Sequence, residues 1–145
     1  MKLIPNLRAT LFYVGYSFIT IIWGTLSILL GWLMPYRLRF GFIIGLWTRM
    51  ILLWLRLTCG VRHEVEGLEN IPAKPCILFA KHESTWETLA LQTLFAPQAT
   101  IIKRELLNIP FFGWAFRLLR PIAINRNEPR KALKQLIREG RDRLD

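Results

Sequence analysis

Residues 11–34 form a run of 24 without a single charged side chain. No other feature so narrows what this chain can fold into. As a helix the run would be ~36 Å long, against a hydrocarbon core of ~30 Å. Lys2 and Arg8 precede it, as in a signal peptide. The run exceeds the usual h-region of ~7–15 residues, however, and no small-x-small cleavage pattern follows. It ends in Trp32-Leu33-Met34-Pro35-Tyr36, bulky residues suited to a membrane–water boundary. The expectation is an uncleaved membrane helix.

A second helical stretch covers residues 38–58, with Arg49 and Arg56 seven apart and so on one face. Gly41 and Gly45 make a GxxxG that would let this helix pack closely on the first. Basic residues flank both ends of the first helix, so charge leaves the orientation open. Residues 1–60 contain six basic residues and no acid; residues 61–145 hold 14 basic and 10 acidic ones. A basic chain can bind nucleic acid or anionic lipid. Here the cations flank apolar helices and no nucleic-acid motif is present, so lipid is favoured and nucleic acid is not expected.

After Gly60 the texture changes to that of an α/β layer. Residues 61–66 alternate and end at Gly67, which reads as a strand. Residues 76–80 are a continuous apolar run of buried-strand length, which makes Cys76 a free core thiol. Cys59 and Cys76 form neither a CxxC pair nor a metal set. A helix over 84–95, a strand over 99–102, an aromatic turn and short helix over 108–119 and a strand over 120–125 follow. A last helix begins near Asn127, with Pro129 in its first turn. Its six basic residues suit a solvated face or attraction to anionic lipid. The expected fold is therefore α/β: a two-helix membrane anchor (1–58), then a largely parallel layer (59–145).

KHESTWE, at the start of the 84–95 helix, carries the chemistry. His82 and Glu87 are five apart, so they do not share a helix face. The spacing puts His82 in the loop and Glu87 in the first turn. There the carboxylate can fix the imidazole tautomer and leave the other nitrogen free to take a proton. Ser84-Thr85-Trp86-Glu87 is equally a capping box, with Glu87 reaching back to the Ser84 backbone. Both roles stand, and one carboxylate can serve both. His63 reads as an ordinary surface residue.

Three blocks in order, KHESTWE, KRELLNIPFFG and RPIAINR, closely resemble successive blocks of the 1-acylglycerol-3-phosphate acyltransferases, over about residues 61–136. The resemblance implies a base, His82, that deprotonates the free hydroxyl of lysophosphatidic acid. That hydroxyl attacks the thioester of acyl-CoA or acyl carrier protein directly, giving phosphatidic acid. Glu87 occupies the place of the family's usual aspartate. Arg126 matches the arginine that serves the acceptor phosphate, and Lys103 is a second candidate for that phosphate. Phe111, Phe112 and Trp114 are candidates for acyl or membrane contact, with core packing as the rival. No metal or cofactor is expected beyond the thioester co-substrate. The expected partners are membrane lipid, lysophosphatidic acid and the donor, at the cytoplasmic face of the inner or plasma membrane.

The chain departs from the family at Lys81, where asparagine is common, and at Asn125, where aspartate is common. The family's third block, of Phe-Pro-Glu-Gly-Thr-Arg type, and its fourth, proline-containing block do not occur. The chain is therefore expected to be the N-terminal part of the enzyme, its α/β layer incomplete, and to be inactive or nearly so alone. Two other readings remain: an acyltransferase for another lysolipid such as lyso-ornithine lipid, and a non-catalytic module that binds anionic lipid.

Overall fold

A computed structural model describes residues 3–81 and 83–144. The first helix, α1 (Leu3–Gly31), is followed by a turn and a second helical rod. That rod comprises α2 (Tyr36–Phe40), a π-helical segment (Gly41–Leu46) and α3 (Trp47–Cys59). Ile4–Gly31 and Tyr36–Cys59 are each long and apolar enough to cross a membrane. Together the two form a helical hairpin. Arg39 closes its turn, donating from Nε to Met34 O (3.0 Å) and from Nη2 to Trp32 O (3.2 Å). Gly60 ends α3 in the left-handed region (φ 73°), its N–H on Arg56 O, a geometry that favours glycine.

Phe12, Tyr16, Ile19, Trp23, Ser27 and Gly31 recur at helical spacing along α1 and face the rod. Three indoles donate across this interface: Trp23 to Phe42 O (3.1 Å), Trp47 to Thr20 Oγ1 (3.1 Å) and Trp54 to Phe12 O (3.2 Å). The first of these falls inside the π-helical segment, where an added residue per turn disturbs the carbonyl ladder and frees acceptors. Arg49 and Arg56 lie exposed on the outer face of α3, as their spacing predicts.

Close helix packing is found on glycines other than the expected pair. Nothing lies within 4 Å of a Cβ at Gly41, and Gly45 meets only Phe40 O at 3.6 Å. The tight approaches are in α1. A Cβ at Gly15 would stand 2.2 Å from Trp54 Nε1, and one at Gly24 would stand 2.8 Å from Phe111 Cβ. The GxxxG falls in the π-helical segment, which turns both glycines away from α1, while α1's own small residues lie on its inner face.

The rest of the chain forms α4 (Thr85–Leu94), β1 (Ile101–Lys103), α5 (Phe112–Arg117), β2 (Ile122–Ile124) and α6 (Pro129–Leu144). β1 and β2 pair in parallel, Ile101 with Ile122 through Lys103 with Ile124. The core sits where the hairpin meets α4 and α5. Phe40, Ile43, Ile44, Trp47 and Ile51 of the rod pack with Leu89, Ala115 and Phe116. Two long apolar helices followed by a short parallel α/β element agree with the expected fold class.

Two expected strands do not form. Residues 61–66 and 76–80 pair with no strand among the described residues. Cys76 is exposed, not a core thiol, and Phe79 is 91% exposed. A strand draws its hydrogen bonds and its cover from other segments, and no such segment lies beside 76–80 among the described residues.

Candidate functional site

Ser84 stands at the N-cap of α4 in an extended conformation, its Oγ accepting from Trp86 N–H at 3.2 Å. Glu87 reaches back in turn. Its Oε1 accepts from the backbone N–H of Ser84 (2.6 Å) and of Glu83, and its Oε2 accepts from the Ser84 hydroxyl. The capping box read from the spacing is therefore present. A carboxylate offers about four acceptor positions, so capping does not preclude serving an imidazole as well. His82, the candidate base, lies outside the described residues. Its neighbours on either side, Lys81 and Glu83, form an exposed ion pair. This satisfies the Lys81 charge within the loop. The exposed ring of His63 rests 5.1 Å from that of Trp86, beside Glu87. Sequence reasoning passed over that contact, because nothing in the alternation around His63 ties it to a helix twenty residues on.

Sheet register puts the two phosphate candidates at the same end of the parallel pair. Lys103 is the last residue of β1 and pairs with Ile124, the last of β2; Arg126 follows two residues later. Both cations thus stand at the carboxyl edge of the parallel pair, where open α/β sheets bind ligands. Both are exposed. Arg126 sits on the crest of a turn held by Asn125, whose Oδ1 accepts from Asn127 N–H (3.0 Å) and whose Nδ2 donates to Glu128 (3.2 Å). Asn125 therefore builds the turn that presents the arginine. An open cleft of about 570 Å³ adjoins this edge, lined by Arg104, Asn125, Glu128, Lys131, Lys134 and Gln135. Lys103 and Arg126 do not line it; its cations are Arg104, Lys131, Lys134 and Arg138.

The aromatic residues divide among three settings. Phe112 is half-buried against Trp47 (5.3 Å between rings) and stacked on Phe116 (5.4 Å). Trp114 is 46% exposed. Phe111 adopts φ 61°, ψ −62°, with Phe112 N–H bonded to Pro110 O at 2.7 Å. This is a γ-turn of the rare, strained kind, which costs roughly 1–3 kcal/mol and persists only where its surroundings enforce it. Its surroundings do so from two sides. Gly24 leaves room for Phe111 on α1, and Gly113 leaves room for the backbone of Leu106 and Leu107, since a Cβ there would stand 2.5 Å from Leu106 O. The turn thereby fastens the loop that begins at Lys103 to the helical hairpin.

Comparison with known proteins agrees with this architecture. Residues 62–143 match the Acyltransferase family model. Over 140 residues the chain is 47% identical to the 1-acyl-sn-glycerol-3-phosphate acyltransferase of Pseudomonas aeruginosa, covering 97% of this chain and 54% of that protein. It is 32% identical over 83 residues to the enzyme of the same name from Saccharomyces cerevisiae, covering 57% of this chain and 27% of that one. It is 28% identical over 114 residues to the chloroplastic 1-acyl-sn-glycerol-3-phosphate acyltransferase BAT2 of Brassica napus, covering 72% and 32%. The chain thus spans about half the length of the first of these relatives, and a third or less of the other two. No solved structure matches. With a family match over most of the α/β layer and a relative of this identity along nearly its whole length, the chain belongs to the acyltransferase family.

Proposed function

We propose that the protein of which this chain is part transfers an acyl group from acyl-CoA or acyl carrier protein to the free hydroxyl of lysophosphatidic acid, giving phosphatidic acid. The observation that carries this reading is the register of the parallel pair. It sets Lys103 and Arg126 on one edge, as two cations suited to a phosphomonoester. In this reading His82 takes the proton of the acceptor hydroxyl and Glu87 holds the imidazole from the first turn of α4. The oxygen attacks the thioester carbonyl, the carbon–sulfur bond breaks, and the thiolate leaves with a proton returned from the imidazolium.

The membrane setting follows from the hairpin. α5 packs along α1 between Gly24 and Gly31, and α4 packs on α3, while Leu7, Val14, Phe18 and Leu29 face outward from α1. An α/β layer with exposed backbone cannot enter hydrocarbon. The hairpin therefore offers lipid its outer faces and keeps the layer on its other side, at the membrane surface where the acceptor lies. The cytoplasmic face is the side on which both candidate donors are made available.

The test is an acyl-transfer assay on the full-length protein in lipid with a panel of lysolipid acceptors. Lysophosphatidic acid is expected to be used best, and Arg126→Ala to raise its KM more than that of an acceptor without a phosphomonoester. Equal use of a phosphate-free lysolipid, unaffected by Arg126→Ala, would sink the acceptor assignment. The 145-residue chain alone, with residues 76–80 uncovered, is expected to turn over little.

A further inference from the structure

The helix α6 has two faces, and only one is used by the fold. Ala132, Gln135, Leu136 and Glu139 are half-buried on the layer side, and Gln135 donates to Ala123 O of β2 (3.3 Å). At about 100° per residue, Leu133, Ile137 and Leu144 fall together roughly a third of a turn away. All three face solvent, Leu133 58% and Ile137 63% exposed. Arg130, Lys134 and Arg141 border this stripe along its far side. Two other cations of the helix have acidic partners, Lys131 with Glu128 and Arg138 3.7 Å from Glu139, and Arg143 is held by a carbonyl. The three cations along the stripe make no ion pair among the described residues. Unneutralised charge and exposed apolar surface thus coincide on one side of one helix.

The far end of α6 is tied to the membrane hairpin. Arg143 donates to Arg120 O (3.0 Å), and the Arg120 guanidinium lies over the Tyr36 ring at 5.9 Å. The Tyr36 hydroxyl donates to Leu119 O (2.9 Å). Tyr36 opens the second hydrophobic rod, beside Trp32 and Leu33, which are each 63% exposed at the hairpin turn. Aromatic residues in such a place sit at the headgroup level. The last turn of α6 is therefore held next to a residue of the membrane boundary.

We propose that the Leu133–Ile137–Leu144 stripe of α6, with Arg130, Lys134 and Arg141, docks on an anionic lipid surface, giving the protein a contact with the membrane separate from its hairpin. A short helix with a narrow apolar stripe and a cationic flank is the pattern that lies in the headgroup layer. Anionic headgroups supply the countercharge that the described residues leave out.

The test uses full-length protein in nanodiscs, with Cys59→Ser and Cys76→Ser and a single NBD-labelled cysteine at Ile137→Cys. Discs are made of phosphatidylcholine with or without phosphatidylglycerol, and a headgroup-proximal doxyl lipid serves as quencher. With phosphatidylglycerol the emission is expected to shift to the blue and to be quenched by the doxyl lipid. Aqueous iodide should lose access. Arg130→Glu with Arg141→Glu, or high salt, should reverse all three changes. A label at Leu133→Cys should report the same, which guards against one label disturbing its own contact. A water-like emission in every disc overturns the proposal. So does a blue-shifted emission that doxyl lipid fails to quench, because protein would then cover the stripe, whether another segment or an acidic partner. The readout is position, not turnover, so failure here leaves the acyltransferase reading intact.

Discussion

The hairpin and the α/β layer satisfy their backbones by different means. In α1 and the rod the backbone bonds are local, made within a few residues along each helix, and three indoles then stitch the two helices together. The layer depends on segments far apart in the chain. β1 and β2 form a parallel ladder, whereas residues 76–80 pair with no strand among the described residues and Phe79 is bare. The difference teaches that the hairpin's order rests on contacts near in the chain, whereas the layer is only as ordered as its neighbours allow. It also predicts a division of labour: substitutions in the hairpin should cost stability, and substitutions at the edge of the layer should cost activity.

The largest test of that division is His82→Ala in the full-length protein. Turnover is expected to fall by roughly 10²–10⁴-fold, the usual contribution of a general base, with the melting temperature in detergent unchanged. A variant that keeps most of its turnover removes the base from the mechanism. The opposite signature is expected at Gly15→Ala. Its Cβ would stand 2.2 Å from Trp54 Nε1, so the indole must leave its bond to Phe12 O. Overpacking of this kind costs about 1–3 kcal/mol, read as a lower melting temperature in detergent, while KM for the acceptor stays put. Should Gly15→Ala change KM instead, the anchor and the layer are not separable.

A smaller effect is expected at the boundary between the two roles of Glu87. Ser84→Ala removes the N-cap of α4, a loss of about 0.5–2 kcal/mol in most helices. Glu87→Gln keeps a side chain that can still accept from the Ser84 N–H, but it lacks the charge that would steady an imidazolium. Stability should therefore fall more in Ser84→Ala, and turnover more in Glu87→Gln. If both variants lose only stability, Glu87 is a cap and nothing else.

The same contrast governs what could be read from the residues beforehand. The two helices, the cap at Ser84 and the helix opening at Pro129 were all legible, because each rests on contacts a few residues apart. The strand read over 99–102 is a strand at Ile101–Lys103, shifted because register is set by its partner rather than by its own pattern. Residues 61–66 and 76–80 carried as good a local signal and formed nothing. The pairing of Lys103 with Ile124, two residues before Arg126, was hidden for the same reason, since register is a property of two segments. The glycine reading failed differently. GxxxG is a spacing rule for a regular helix, and the π-helical segment at Gly41–Leu46 breaks the regularity that the rule assumes.

That segment offers the finest test of the hairpin. Trp23 Nε1 donates to Phe42 O, a carbonyl within the π-helical stretch and away from water. Trp23→Phe keeps most of the ring contact with Phe42, whose centroid lies 4.9 Å away, and deletes only the donor. Interhelical hydrogen bonds in membranes contribute about 0.6 kcal/mol on average, because helices separated in lipid find other partners. A small drop in melting temperature with unchanged turnover is therefore expected. A loss as large as that of Gly15→Ala would mean that the indole holds the π-helical segment in place. The Phe42 carbonyl would then return to a regular ladder when the donor is removed, turning Ile43 and Ile44 out of the core that α4 and α5 share with the rod. Turnover would fall with stability in that case, since the change would reach the layer through its floor.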